Sequence, residues 1–254
     1  MKASLARASS HLIPYVERMV YPKTFLRDVH FIFIFNSQIT SDEQKNNIHN
    51  FFISTFKLED ITIDDLGKNL CVYSKDEMIR FDFSMNHVEL AIKQPLYRSY
   101  ENVSIWRGLM FKFLSNLEIK ELKKLIMYKY NELEYQSKDD RKVNTVMSDV
   151  FSMQLMEDIS ETDNNLEDLT RWEKTKIFVD DEKNNSQFTI EYGFRKKNSE
   201  QKSDSLILKT QIESKDREIA LNNIEKMMTS FNQDLDNGFH WCVNPDVIEI
   251  MKKV

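Results

Sequence analysis

Glycine is scarce in this chain of 254 residues, which contains only Gly67, Gly108, Gly193 and Gly238. An average protein carries glycine at roughly 7% of its positions. A Walker phosphate loop needs paired glycines before Lys and Ser/Thr, and a dinucleotide fingerprint needs three glycines close together. No two of the four lie close enough to share such a loop. The sequence therefore argues against P-loop NTPases, protein kinases and Rossmann oxidoreductases, and it lacks the G-x-S-x-G nucleophile elbow.

Cysteine and histidine are also too few to build a recognisable metal centre. The chain has two cysteines, Cys71 and Cys242, and five histidines. No pair of histidines has metal-ligand spacing, and the H-E-x-x-H motif is absent. Both cysteines stand in apolar or aromatic surroundings, which favours buried thiols over reactive ones. We therefore predict no metal and no cofactor.

Long apolar runs and an excess of basic residues are missing as well. The N-terminal stretch has no run long enough for a signal peptide or a membrane span, so we expect a cytoplasmic protein with reduced thiols and no membrane contact. The net charge of −6 argues against a chain dominated by nucleic-acid binding. Residues 1–26 form a locally basic arm, for which a solvated tail or a lid over a sheet edge is favoured over a nucleic-acid contact.

Residues 27–136 are predicted to form an N-terminal α+β half with the order β-α-β-β-β-α-β. The first strand is apolar on both faces, which predicts a central strand covered on both sides. The next three strands are predicted to form a meander with one buried and one wet face. In its middle strand Ile79, Phe81, Phe83 and Met85 face one way, and Arg80, Asp82 and Ser84 face the other. Ser99 is predicted to cap the second helix. The predicted elements are 27–38, 40–57, 69–74, 77–84, 87–93, 99–117 and 122–135.

Residues 137–171 are predicted to be a polar and acidic connection. A C-terminal βββα half, 172–254, follows, with apolar periodicity that predicts three strands and a long helix. Gly238 is predicted to end that helix. The apolar run 239–243 would then be a connection that docks into the core or a partner surface. The predicted class is α+β, with antiparallel sheets, helices packed on one face and two similar β-rich halves.

The strand KKLIMYKYNELEYQ, residues 123–136, places Tyr128 and Tyr130 on one face. Exposed aromatic rings beside lysines would be a platform for stacking bases, whereas buried rings would belong to the edge of the core. A helix precedes the strand, and the tyrosine face is the bulkier of the two. We therefore predict that both tyrosines are mostly buried against helix 99–117, with their hydroxyls at the sheet rim.

The remaining chemistry-bearing residues predict a surface rather than a catalytic site. Asp82 and Glu89 lie on adjacent strands as a candidate carboxylate pair, although a solvated sheet face is the favoured explanation. His30 on its apolar strand is predicted to be a satisfied core histidine and not a base. No catalytic residue is predicted. The candidate interaction surface comprises Arg80, Asp82, Glu89, Lys93, Tyr128, Tyr130 and Trp241.

Four segments carry a resemblance to a known family. They are Pro22 before FLRDVHFIFIF, VELAIKQPLYRSYENV, KKLIMYKYNELEY and MTSFNQDLDNGFHWCVNPDVIEIM. Together they resemble a sporadically distributed family of uncharacterised bacterial proteins of about this length. Lys129 stands where that family has an arginine before the tyrosine. The motifs carry no established catalytic residue, and the patchy distribution implies genes of anti-phage defence or mobile elements.

These observations lead to two expectations for function. The first is a non-catalytic cytoplasmic binding or regulatory component with another protein as its partner. The family resemblance implies that it serves a bacterial anti-phage defence or mobile-element system. This expectation depends on the missing catalytic motifs and on the many aromatic strand positions. The alternative is a nucleic-acid-binding or processing protein that uses the basic N-terminal arm and the polar face of the meander.

Overall fold

The computed structural model describes residues 24–36, 42–56, 60–65, 69–135, 142–157, 159, 166, 169–180, 185–196, 203–215 and 218–253. The predicted basic arm therefore lies outside the described residues as far as residue 23. Most of residues 157–168, the acidic part of the predicted connection 137–171, lies outside them too.

The described residues form eleven strands and six helices. The strands are β1 (Leu26–Ile34), β2 (Ile61–Asp65), β3 (Leu70–Ser74), β4 (Ile79–Ser84), β5 (His87–Lys93), β6 (Glu121–Leu122), β7 (Lys124–Tyr135), β8 (Arg171–Asp180), β9 (Ser186–Arg195), β10 (Asp204–Ser214) and β11 (Ile219–Ala220). The helices are α1 (Asp42–Thr55), α2 (Ser104–Asn116), α3 (Val143–Val150), α4 (Met153–Met156), α5 (Leu221–Cys242) and α6 (Pro245–Lys252).

Nine of these strands make one antiparallel sheet in the order β2-β3-β4-β5-β1-β7-β10-β9-β8, and β6 pairs with β11 separately. The predicted α+β class with antiparallel sheets is confirmed. The predicted meander is also confirmed, but it gains a fourth strand, because β2 pairs with β3 at its outer edge. The sequence pattern does not reveal β2, which has only five residues and an acidic end.

The chain divides into two compact units, each assembled from separate segments. The meander unit comprises Asp28–Tyr128 and Glu213–Asn232. The hairpin unit comprises Met1–Arg27, Lys129–Ile212 and Gln233–Val254. Neither unit is continuous in sequence, so the units do not follow the two successive halves that the sequence predicts.

In the meander unit, phenylalanines from α1, α2 and β4 form an aromatic core. Phe83 lies 4.8 Å from Phe113, and Phe52 lies 5.0 Å from Phe81, between ring centroids. Each such side chain contributes roughly 1.5–3 kcal/mol when fully buried. The alternation in β4 sends Ile79, Phe81 and Phe83 into this core, as predicted.

Two predictions in this unit need correction. Strand β1 is central, but only one of its faces is fully buried. Val29 and Phe31 are 0% exposed, whereas Ile32 on the opposite face is half-buried. Ser99 does not cap α2, which begins at Ser104 after Val103, a residue without a capping side chain. The Ser99 hydroxyl instead accepts a hydrogen bond from the Asn102 amide in the preceding turn.

In the hairpin unit, α5 does not end at Gly238 as predicted. The helix continues to Cys242. A Cβ at position 238 would lie 2.2 Å from the ring of Phe188, so glycine serves close packing of the helix against β9. The predicted docking of the following residues is confirmed, because Phe239 and Trp241 are each 9% exposed and Val243 is 1% exposed.

Within the described residues, no helix combines the length and the apolar character that crossing a membrane requires.

Candidate functional site

The strand register of the meander places a small residue between two long polar ones. Ala91 on β5 pairs with Arg80 on β4 and, on its other side, with His30 on β1. Directly paired residues of an antiparallel sheet point to the same face. Because a methyl group lies between an arginine and a histidine, the sheet has a depression over Ala91.

This polar depression has a volume of about 400 Å³. Its lining residues come from β1 to β5 and from the turn before β4. They are Asp28, His30, Asp64, Cys71, Tyr73, Glu77, Arg80, Ala91 and Lys93. Three of them are carboxylates and three are basic groups, so the depression is suited to charged rather than apolar contacts.

His30 lies between two carboxylates. Its Nδ1 bonds to Glu89, and its Nε2 lies 2.9 Å from Asp28 Oδ1. The ring of Tyr128 stacks on the imidazole at 4.1 Å with an angle of 13° between the planes. The Tyr128 hydroxyl donates a further bond to Glu89 at 3.4 Å. When the imidazole is protonated, both of its ring nitrogens donate to carboxylates.

The pKa shifts in this cluster favour the ionised forms of His30 and Glu89. Burial lowers the pKa of His30, but the hydrogen bonds to Asp28 and Glu89 outweigh burial and raise it above its usual value. Burial raises the pKa of Glu89, but the hydrogen bond from His30 outweighs it and lowers the pKa. Burial, with the nearby Glu89 carboxylate, raises the pKa of Tyr128. The raised pKa of His30 favours its imidazolium form, and the raised pKa of Tyr128 favours the neutral phenol.

The other charges of this face are also paired. Arg80 donates to Asp82 from Nε at 2.9 Å and from Nη2 at 2.8 Å. Lys93 lies 3.8 Å from Glu77. The Arg80 and Lys93 side chains are 55% and 52% exposed, so both reach solvent at the mouth of the depression.

Asp82 and Glu89 are directly paired across β4 and β5; the sequence predicted the neighbouring strands but not this register. Each carboxylate is neutralised by a different base, Asp82 by Arg80 and Glu89 by His30. They therefore do not form a bare carboxylate pair. Across the ranges that the structure describes, no group of three or more His, Cys, Asp or Glu residues is arranged to hold a metal ion.

Cys71 lines the depression without offering a nucleophile. Burial, followed by the hydrogen bond with Asp82, raises the pKa of its thiol to about 12. A thiol with this pKa stays protonated near neutral pH and reacts slowly. Beside it, Tyr73 donates a hydrogen bond to Asp64 at 2.9 Å. The predicted burial of Cys71 is confirmed, and the raised pKa agrees with the prediction of an unreactive thiol.

The predicted face of β7 is wrong for the tyrosines. The fully buried side chains in the first part of the strand are Leu125 and Met127, which point opposite to Tyr128. Tyr128 and Tyr130 are mostly though not fully buried, so their predicted burial is confirmed and only the face on which they lie is wrong. One ring face of Tyr128 is covered by His30, so this tyrosine does not present an open surface for a base on that side.

Two predicted surface residues belong to the hairpin unit. Tyr130 accepts a hydrogen bond from Arg195 Nη1 at 3.3 Å. Trp241 is 9% exposed, packs edge-on against Phe178 at 5.9 Å and has the Lys176 ammonium 5.0 Å from its ring centroid. Trp241 therefore lies in the core of its unit and not on an exposed patch.

The structure brings Arg80, Asp82, Glu89 and Lys93 together on one face, and it adds residues that sequence reasoning missed. The most informative addition is Asp28. The D-x-H spacing of Asp28 and His30 places both side chains on the same face of a strand, and this signal could have found the cluster.

The cluster presents charged groups that can bind a charged ligand. Both imidazole nitrogens of His30 are engaged by carboxylates, and the raised pKa of Cys71 favours its protonated thiol. A general base needs a free lone pair within reach of a substrate proton. No protein-family model matches this chain, and no curated protein matches it either.

Proposed function

We propose that this protein is a non-catalytic binding component whose polar sheet face receives a cationic segment of a partner protein. The observation that carries the proposal is an excess of carboxylates around the depression. Asp28, Asp64, Glu77, Asp82 and Glu89 stand against His30, Arg80 and Lys93. The lining itself is balanced, but Asp82 and Glu89 pair with lining residues on the same face. With these two, the described residues of the face are five acids against three bases, so the face is negative even when His30 is protonated. A negative concave face attracts cationic groups and speeds their encounter.

The depression is also organised before a partner arrives. The His30 side chain is 17% exposed and is fixed by two carboxylates and a stacked ring. Asp28 is 26% exposed, so one edge of its carboxylate faces solvent. A preorganised acceptor loses little conformational entropy on binding, which favours recognition of a specific charged group.

Arg80 and Lys93 lie at the rim of the depression, where their pairing with acids disfavours anionic partners. Each is half-exposed and each already has an acidic partner, Asp82 or Glu77. A strongly anionic partner would have to compete with these carboxylates and approach a face with net negative charge. Like-charge juxtaposition of this kind suppresses wrong partners.

Nucleic acid remains the alternative partner because the sequence of residues 1–26 is basic. That segment carries Lys2, Arg7, Arg18 and Lys23 against a single acid, Glu17. The polar depression does not support this alternative, since its charge opposes that of a phosphate backbone. The cytoplasm, and a role in anti-phage defence or a mobile element, belong to the same proposal and rest on the composition and the family resemblance.

Affinity measurements with charged probes test the proposal. We expect a hexa-arginine peptide to bind more tightly than a hexa-glutamate peptide or a single-stranded DNA of equal charge number. Replacing Asp64→Asn together with Glu77→Gln removes two negative charges from the depression while leaving the His30 cluster intact. Since a charge at the rim of an interface has a modest effect, we expect about three- to tenfold weaker peptide binding.

The matched control removes two acids from the hairpin unit, Asp149→Asn and Glu249→Gln. Both positions are exposed. This control should leave peptide affinity close to that of the parent chain. Equal loss in both double variants would show that only net charge matters, and tighter binding of DNA than of peptide would favour the nucleic-acid alternative.

A further inference from the structure

A second concavity, on the other face of the meander, is built from aromatic rings. It has a volume of about 460 Å³ and lies where α1 and α2 meet β3 and β4. This volume falls within the range of roughly 300–1,000 Å³ that is usual for small-molecule sites. Its lining residues all belong to the meander unit. Tyr73 lines both concavities, and the other residues differ from those of the polar depression.

One wall of this aromatic cleft consists of three nearly parallel rings. Phe52 and Phe56 are 6.0 Å apart with 10° between their planes, and Phe56 and Trp106 are 5.6 Å apart with 5° between theirs. Phe56 and Trp106 are only half-buried. Parallel offset rings with an accessible edge offer a further aromatic group the same stacked arrangement.

The floor of the cleft is apolar and is held by the sheet. Val72 is 1% exposed, Ile79 is 4% exposed and Phe81 is 3% exposed, and all three lie on paired strands. A floor fixed by the sheet keeps its shape when the cleft is empty, which favours a flat apolar group over a bulky one.

The polar groups of the cleft gather at one end. Asp60, Lys75 and Asp76 line it there, and the Lys75 amide donates to the Asp60 carbonyl at 3.1 Å. The Asp76 carboxylate is held in place by the Ser74 hydroxyl and by the Met78 amide at 3.1 Å. Among the described residues at this end, two carboxylates stand against one ammonium, which makes their net charge negative. The aromatic wall adds further attraction for a cation.

We infer that this cleft binds a small planar aromatic molecule that carries a cationic group. The aromatic body would lie along Phe56 and Trp106, and the cation would point toward Asp76. The inference does not depend on the polar depression or on the proposed partner, because the two concavities use opposite faces of the sheet and different chemistry.

A titration with matched naphthalene probes tests this site. The probes are 1-naphthylmethylamine, 1-naphthalenemethanol and 1-naphthaleneacetate, which share the ring system and differ in charge. Amide and indole N–H signals of the full-length protein report the binding. We expect the amine to shift the signals of Trp106, Phe56 and Lys75, with the alcohol weaker and the acid weakest.

Two variants separate the ring contribution from the charge contribution. Trp106→Ala removes part of the wall, and we expect about tenfold weaker binding of the amine and the alcohol alike, since aromatic anchors dominate small interfaces. Asp76→Asn removes one negative charge. It should weaken the binding of the amine about threefold and leave the binding of the alcohol unchanged. Lys75→Gln is the control that removes one positive charge instead. It should strengthen the binding of the amine or leave that binding unchanged.

Several outcomes would overturn the inference. The inference is contradicted if 1-naphthaleneacetate binds as tightly as the amine or if the signal shifts map away from Phe56 and Trp106. It is also contradicted if the amine binds the Trp106→Ala variant as tightly as the parent protein. If that variant unfolds, Asp76→Asn still decides the charge preference, because Asp76 is exposed and lies in a turn. Failure of the peptide experiment on the polar depression would not affect this result.

Discussion

The ring of Tyr128 lies 4.1 Å from the imidazole of His30 and nearly parallel to it. These residues come from strands β7 and β1, which are neighbours in the sheet but almost one hundred positions apart in the chain. The stack covers one face of the imidazole, while Asp28 and Glu89 engage its two nitrogens. A residue that resembled a core histidine in the sequence is therefore the centre of a charged cluster.

The stability of the protein should depend on pH through this cluster. The pKa of His30 is raised above its usual 6.5, so its stabilisation is complete below about pH 6.5 and is lost as the pH rises through the folded-state value. The pKa of Glu89 is lowered below its usual 4.5, so its stabilisation is present above about pH 4.5 and is lost as the pH falls. Both contributions are complete between about pH 4.5 and 6.5.

Replacing His30→Asn removes the protonatable partner of both carboxylates. Because hydrogen bonds to charged groups contribute about 1.5–3 kcal/mol, we expect a loss of that size in the free energy of unfolding near pH 6. Chemical denaturation at several pH values measures it. His49→Asn, at an exposed position of α1, is the control and should leave the profile unchanged. A variant at position 30 that keeps the parent pH profile would show that the cluster does not titrate as described.

Gly238 and Gly108 provide a matched pair of helix substitutions with opposite expected signs. An added Cβ at Gly238 would meet the buried ring of Phe188 at 2.2 Å, whereas at Gly108 it would meet nothing within 4 Å. Overpacking costs about 1–3 kcal/mol, so Gly238→Ala should destabilise the protein despite its better helix propensity. Gly108→Ala should stabilise it by up to about 1 kcal/mol.

Thermal and denaturant unfolding of the two alanine variants test this contrast. If both substitutions stabilise the protein, α5 does not pack on β9 as closely as the structure shows.

The buried Arg107 leads to a further prediction about stability. Its side chain is 6% exposed, it donates to the Tyr100 carbonyl at 3.2 Å, and its guanidinium lies 3.6 Å from the Tyr100 ring centroid. It also bonds to Glu225, whose side chain is 54% exposed. Removing the arginine with Arg107→Ala should cost about 2–4 kcal/mol, because packing, hydrogen bonds and the cation–π contact are lost together.

Replacing the carboxylate with Glu225→Gln should cost about 1 kcal/mol or less, since exposed ion pairs contribute little. Urea unfolding of both variants gives the two free energies. A loss in Glu225→Gln that equals the loss in Arg107→Ala would place the stability in the ion pair and not in the buried contacts.

Strand periodicity was the most reliable guide from the sequence. The alternation in β4 predicted that Ile79 and Phe81 point inward and that Arg80 and Asp82 point outward, and the structure has this arrangement. The rule succeeds here because the two faces differ strongly in polarity.

The faces of β7 could not be assigned in the same way. Both faces mix apolar and polar residues, and the buried one includes Lys129 and Asn131. Lys129 is compensated by an ion pair with Asp236, and Asn131 donates to the Leu208 carbonyl at 3.2 Å. These partners lie far along the chain, so the polarity of the strand alone could not reveal that its lysine is buried.

Gly238 shows a further limit of local signals. Glycine before an apolar run resembles a helix end, but the residue lies inside α5. The reason is the position of Phe188 on a strand fifty residues earlier, against which a larger side chain would collide. The polar depression is similar, since its residues meet only through the register of five strands.

The most direct test of the proposed binding role is a titration of the isotopically labelled protein with the hexa-arginine peptide, followed by amide chemical shifts. We predict saturable shifts centred on Ala91, Arg80 and Tyr73, which weaken in the double variant Asp64→Asn and Glu77→Gln. Shifts that are absent, that centre on the hairpin unit, or that are unchanged in this variant would contradict a cationic partner at the polar depression.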